Sequence, residues 1–166
     1  MKEIAVSELL MNPMTLIGDS WMLITAGTEE RGYNTMTASW GHLGCIWNAY
    51  TSVCYVRPQR YTKEFMDREE LYTLCFFPGY KKELTYLGTH SGRDGDKVAQ
   101  TGLTPVFEDG YTYFAEADLV LVCRKLYRAP IVEEGFLNRE TLEKNYPSRD
   151  LHNLYVGKIE KVLVNE

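Results

Sequence analysis

Residues 56–63 read Val56-Arg57-Pro58-Gln59-Arg60-Tyr61-Thr62-Lys63, and the chain ahead of them, 52–57, is a short β-branched and aromatic run that reads as a strand. A residue before proline is driven to extended backbone, so Arg57 ends that strand and Pro58 turns the chain. Thr62 then opens a helix expected to run to about Glu70. The stretch brings two arginines, a lysine and a hydroxyl to a strand-to-helix turn. Free helix N–H groups and the helix dipole favour an anion at such a place. Guanidinium suits phosphate because its planar fork makes paired, charge-assisted hydrogen bonds. Arg57 and Arg60 also suit surface ion pairs with Glu64, Asp67 or Glu69, and these eight residues alone leave both readings open.

The cationic turn stands out because the chain is acidic, with 18 Lys+Arg against 23 Asp+Glu and a net charge of -5 over 166 residues. That balance argues against a phosphate-backbone partner such as nucleic acid. The 45% hydrophobic and 25% charged fractions belong to a globular protein, of a length that suits one domain over residues 1–166. Apolar runs are strand-length, far below a bilayer span, and the amino-terminal MKEIAVSELLMN lacks the apolar centre of a signal peptide. Cys45, Cys54, Cys75 and Cys123 are widely spaced. Three lie in apolar runs, as buried reduced thiols of a cytoplasmic protein do. His42, His90 and His152 show no metal-ligand spacing, so no metal is expected. Dinucleotide, P-loop and nucleophile-elbow signatures are absent.

Further strand signals fall at 21–26, 35–40, 71–77, 111–127 (with a possible break) and 153–163. Turns are expected at Gly27, at Gly32 with Asn34, and between Gly41 and Gly44. Inward alternation of Leu154, Val156 and Ile159 requires a bulge at Gly157. Tyr80, Leu84 and Leu87 recur at helical spacing, with Gly88 as a C-cap. Asp94 or Asp96 is expected to cap a short helix through Thr101, ended by Gly102 and Pro105. Many antiparallel strands with a few short connecting helices indicate a mainly β barrel.

A second segment, Asn34-Thr35-Met36-Thr37-Ala38-Ser39-Trp40, alternates small polar and apolar residues. Thr37, Ala38 and Ser39 would let a flat heterocycle approach backbone N–H and C=O groups. Taken alone, the segment reads as an ordinary half-buried strand.

Together, N-x-M-T-A-S-W and V-x-V-R-P-Q-R-Y-T resemble the FMN-binding split-barrel proteins of the flavin reductase and flavoredoxin group, over roughly residues 13–163. The resemblance implies a Greek-key antiparallel barrel. It implies that Asn34, Met36, Thr37, Ala38, Ser39 and Trp40 lie along the isoalloxazine. Arg57, Arg60 and Thr62 would then hold the FMN phosphate, with Gln59 and Tyr61 beside them. His90-Ser91-Gly92-Arg93-Asp94-Gly95-Asp96-Lys97 resembles the family loop that approaches the flavin, often from the partner subunit, with Ser91, Gly92, Arg93 and Lys97 as the contacts. His152-Asn153-Leu154-Tyr155-Val156-Gly157 resembles a late strand whose histidine lies near the flavin and the nicotinamide. Here Asp150-Leu151 replaces the family's Gly-Asp before that histidine.

The resemblance thus implies a homodimeric flavoprotein taking hydride from NADH or NADPH. Its rivals are a flavoredoxin-like electron carrier reduced by a protein partner, and a binding module without turnover. Residues 127–150 match no mechanism; they read as a long connection, with a lid over the flavin as the alternative.

Overall fold

Strand β10 (Asn153–Val164) runs the length of the computed structural model, which describes residues 1–165, and is paired along both edges. On one edge lies β9 (Leu119–Pro130); on the other lie β5 (Ala49–Val56) and, further along, the short amino-terminal β1 (Lys2–Ile4). The sheet continues through β6 (Leu71–Phe76), β2 (Met22–Thr28) and β3 (Gly32–Ala38) beyond β9, and through β4 (Gly41–Ile46) beyond β5. Every pairing is antiparallel, and a separate hairpin joins β7 (Pro105–Glu108) to β8 (Tyr111–Phe114).

Period-two alternation divides the buried side chains between two cores. Met22, Ile24, Tyr72, Leu74, Leu121 and Cys123 face the interior of the curved sheet. Leu23, Cys75, Val120 and Val122 face the other way, under α3 (Lys81–Thr89) and the β7–β8 hairpin. Strands buried on both faces explain why β2 and β6 read as nearly continuous apolar runs. The remaining helices are α1 (Pro13–Thr15), which leads into a wider helical turn over Leu16–Ser20, α2 (Thr62–Arg68) and α4 (Arg139–Asn145).

The bulge expected at Gly157 is corrected. Where the β9–β10 register shifts between Val156 and Gly157, the unpaired residue is Leu126 on β9, and Gly157 pairs regularly with Ser52 on β5. It is Tyr155, not Leu154 or Val156, that shares the inward face with Ile159. A Cβ at Gly157 would overlap the Tyr72 ring and hydroxyl, and that hydroxyl is fixed by a 2.8 Å hydrogen bond to Ser52. The strand expected at 111–127 is broken into β8 and β9, as allowed for. Cys54, Cys75 and Cys123 are buried free thiols, whereas Cys45 is exposed. Among the described residues there is no helix long and apolar enough to cross a membrane.

Four further local expectations are corrected. The stretch from Gly41 to Gly44 is strand, and the turn comes at Trp47 and Asn48, whose φ values of 54° and 57° suit the two-residue hairpin turn that matches strand twist. Thr62 is the first residue of α2 rather than its cap, because Tyr61 already has helical backbone. Gly88 lies inside α3, and there the absence of a side chain allows close approach to Thr37. No helix follows Asp96. Its carboxylate accepts from the Val98 and Ala99 amides at 3.0 and 3.1 Å, capping a turn that does not propagate.

Gly157→Ala is expected to lower stability by about 2 kcal/mol or more, since overpacking a filled core forces backbone shifts. Tyr72→Phe in the same background should recover part of that loss. Urea unfolding midpoints measure both.

Candidate ligand site

The register of β5 and β10 builds the site. Pairing Asn153 with Val56 leaves Arg57 and His152 at adjoining strand ends, where Pro58 turns the chain away. β3 reaches the same rim and delivers Met36, Thr37 and Ala38, followed by Ser39 and Trp40. These five residues, with Tyr55, Arg57, Arg60 and His152, line a chamber of about 210 Å³. A larger chamber of about 560 Å³ adjoins it, and Ser39, Trp40 and Tyr55 line both.

The small chamber is cationic. The Arg57 guanidinium lies 2.5 Å from Asp150, donates to the Asn145 carbonyl at 3.0 Å and sits over the Tyr146 ring at 5.0 Å. Arg60 has no carboxylate partner among the described residues. It donates to the Gly88 carbonyl at 2.6 Å, while its second terminal nitrogen is buried with no hydrogen-bond partner among the described residues. Lys97 is buried nearby, donating to the Leu87 and His90 carbonyls at 2.8 and 3.0 Å. Burial, and then the Arg60 charge, lowers its pKa to about 8. Carbonyls at the end of α3 thus hold two cations by partial negative charge, without a neutralising carboxylate.

His152 is 7% exposed, with Trp40, Tyr146 and Tyr55 rings at 5.2, 5.5 and 6.4 Å. Burial, then the Arg57 charge, lowers its pKa to about 4, while Asp150 opposes this. Its Nδ1 lies 2.8 Å from the Tyr146 hydroxyl. That hydroxyl keeps its proton, because burial raises its pKa, and Nδ1 is its one hydrogen-bond acceptor among the described residues. Nδ1 therefore accepts, and the neutral ring carries its hydrogen on Nε2. His152 is a fixed donor on the chamber wall.

The expected site residues are only partly gathered. Asn34 turns inward and donates to the Thr62 hydroxyl at 2.7 Å, so both are buried away from the chamber. Thr37 donates its hydroxyl to the Leu84 carbonyl, which ties β3 to α3. Gln59 donates to Asp150 at 2.6 Å. The loop of Ser91, Gly92 and Arg93 folds onto α2 of its own chain. Arg93 stacks over Tyr61 at 4.7 Å, pairs with Glu64 at 2.5 Å and donates to the Gln59 carbonyl at 3.2 Å. The alternative pairings of Arg57 and Arg60 with Glu64, Asp67 or Glu69 do not form.

Tyr55, Tyr146 and the segment from Ile131 to Tyr146 were missed from the sequence. That segment is a wall: Ile131, Phe136, Thr141, Asn145 and Tyr146 line the large chamber. One local signal was available, since the Asn138 side chain accepts from the Thr141 amide at 3.0 Å and caps α4.

No protein-family model and no curated protein matches the chain. Solved structures do. Flavoredoxin of Desulfovibrio vulgaris (Miyazaki F) is 21% identical with a TM-score of 0.67, over 88% of this chain and 69% of that one. An FMN-binding protein from Thermus thermophilus, solved with bound 1-cyclohex-2-enone, is 21% identical with a TM-score of 0.67, over 99% and 80%. A Shewanella frigidimarina protein described as a flavin reductase with a split barrel domain is 16% identical with a TM-score of 0.68, over 96% and 77%. The chain therefore has the split-barrel fold of the FMN-binding, flavin reductase-like proteins.

Proposed function

We propose that the protein binds FMN, with the phosphate in the cationic chamber at Arg60 and Arg57 and the ring along the backbone from Thr37 to Trp40. The observation that carries this reading is the buried Arg60 nitrogen without a partner, beside a buried Lys97, with no carboxylate on either among the described residues. A phosphate supplies both the missing acceptor and the missing charge. The reading moves the weight from Thr62, whose hydroxyl is engaged by Asn34, to Arg60.

We propose further that the protein is an NAD(P)H-dependent oxidoreductase. Bound flavin would supply the hydride chemistry, and the chain would supply position and electrostatics. Arg57 and Arg60 place positive charge where anionic flavin needs it. His152, held neutral by Tyr146, offers one N–H and takes no proton at neutral pH. Trp40, at 44% exposed, leaves the rim open to a reductant. Exposed Ile46, Trp47, Tyr50, Leu126 and Tyr127, with Trp47 and Tyr127 rings 6.2 Å apart, form an apolar face suited to a second copy of the chain.

Titration of FMN into the protein should quench flavin fluorescence. Arg60→Ala should weaken binding 10- to 100-fold, about 1.5–3 kcal/mol for a charged hydrogen bond, and unchanged affinity would remove Arg60 from the phosphate site. Anaerobic NADH or NADPH should bleach the bound flavin. Bleaching by a reduced ferredoxin or thioredoxin system alone would favour an electron carrier.

His152 gives a pH signature. Its folded pKa of about 4 lies below the unfolded value of about 6.5, so the unfolded chain binds the extra proton between them. Its contribution is complete above pH 6.5 and is lost as pH falls towards 4. Melting temperatures should show this loss in the native chain and less of it in His152→Gln. The ¹⁵N shifts of His152 should report an Nε2–H tautomer at pH 6 that Tyr146→Phe abolishes.

A further inference from the structure

Two cations from different parts of the chain share one helix end. Arg60, from the turn before α2, donates to the Gly88 carbonyl at 2.6 Å. Lys97, from the loop after α3, donates to the Leu87 and His90 carbonyls at 2.8 and 3.0 Å. The other charges around Lys97 are already matched. Arg31 and Arg68 share Glu69 at 2.5 and 2.7 Å, and Arg93 pairs with Glu64. The Asp96 carboxylate faces the Val98 and Ala99 amides, and the His90 ring is stacked on Tyr86 at 3.9 Å. Tyr33, raised to about 12 by burial and then by the Asp96 charge, keeps its proton. In the chamber, Arg57 lies against Asp150, and His152, with a pKa of about 4, is already neutral.

Lys97 differs from Arg60 in what it can lose. A guanidinium stays charged, whereas burial and the Arg60 charge bring the Lys97 pKa down to about 8. An ammonium has three N–H groups and a neutral amine two. Both bonds to α3 therefore survive deprotonation. What disappears is the charge and a third N–H, which has no acceptor among the described residues.

We propose that this pair makes phosphate binding proton-coupled: Arg60 and a charged Lys97 hold the FMN phosphate together, and a neutral Lys97 takes up a proton from solution when the phosphate arrives. The inference rests on the FMN reading and adds to it a regulation by pH. A phosphate monoester carries close to two negative charges at neutral pH, which matches the two cations. Its field favours the ammonium over the amine, and the coupling is reciprocal, so a proton on Lys97 strengthens phosphate binding by the same factor. Affinity is highest while Lys97 is charged in the free protein and falls as pH rises through 8.

Fluorescence titration with FMN at pH 7 and pH 9 tests this, with riboflavin as the phosphate-free comparison. With a free pKa of about 8, neutral Lys97 outnumbers the charged form about tenfold at pH 9. FMN should bind at least fivefold more weakly there, and riboflavin should change less than twofold. Calorimetry at pH 8.5 in two buffers of different ionisation heat should show uptake of more than half a proton per FMN. Lys97→Arg keeps the charge, so FMN affinity should become flat with pH and the uptake should vanish. Lys97→Met should bind FMN weakly at both pH values.

Equal FMN affinity at the two pH values in the native chain, an equal loss for riboflavin, or no proton uptake overturns the proposal, whatever the variants do. So does a loss at pH 9 that persists in Lys97→Arg. If FMN fails to bind at pH 7, the flavin reading falls, and sulfate, doubly charged at both pH values, decides the coupling. A thermal shift by millimolar sulfate at pH 7 that disappears at pH 9 supports it. Equal shifts, or none at either pH, overturn it.

Discussion

Arg57 and His152 meet because Asn153 pairs with Val56 across β5 and β10, and most of the site follows from that register. A slip of one residue would turn buried Tyr155 and Ile159 outward and bring exposed Lys158 and Glu160 in. Gly157 belongs to the same constraint. It lies beside the shift in β9–β10 register and, having no side chain, leaves the space that the Tyr72 phenol occupies, where it bonds Ser52 on β5. Core packing and site geometry are therefore specified by the same contacts.

The charge arrangement makes sense only against that rigid frame. Buried Lys97 and half-buried Arg60, at the end of α3, are held by carbonyls among the described residues. Helix-end dipoles favour cations but do not neutralise them, and burying charge without a counter-charge costs stability. Such arrangements persist where function needs them. The same positive field, with burial, keeps His152 unprotonated, so a cluster of positive charge and a neutral hydrogen-bond donor come from one set of residues.

Much of the barrel was legible because strand signals are local. Alternating apolar residues and the turn ahead of Gly32 sit within short windows, whereas the turn expected between Gly41 and Gly44 is strand and the bulge expected at Gly157 falls on β9. The helix after Arg57 was legible for the same reason. The corrected features depend on partners distant in sequence. Thr62 is a buried acceptor for Asn34 rather than a cap, and Gly88 is kept small by Thr37 on another strand. Of the expected ligand residues, Met36 to Trp40, Arg57, Arg60 and His152 converge on one chamber. Gln59, Tyr61, Thr62 and Arg93 do not line that chamber and make contacts within the surrounding turn and helix. Nothing in residues 127–150 signals a wall, because their role is to face a cavity whose other side is made by residues 13–18 and 39–42.

Arg57 ties the two chambers together. Its guanidinium binds Asp150 and the Asn145 carbonyl and covers Tyr146, so it holds the wall of the large chamber while lining the small one. An anion arriving in the small chamber would compete with Asp150 for that guanidinium. Every hydrogen bond it took from Arg57 would be one fewer on the 145–150 segment, whose Tyr146 orients His152. Arg60 keeps one nitrogen on the Gly88 carbonyl, while its open nitrogen has no partner among the described residues to surrender. At the proposed phosphate site, affinity would therefore fall chiefly to Arg60, while Arg57 would link occupancy of one chamber to the shape of the other, and any such coupling would act in both directions.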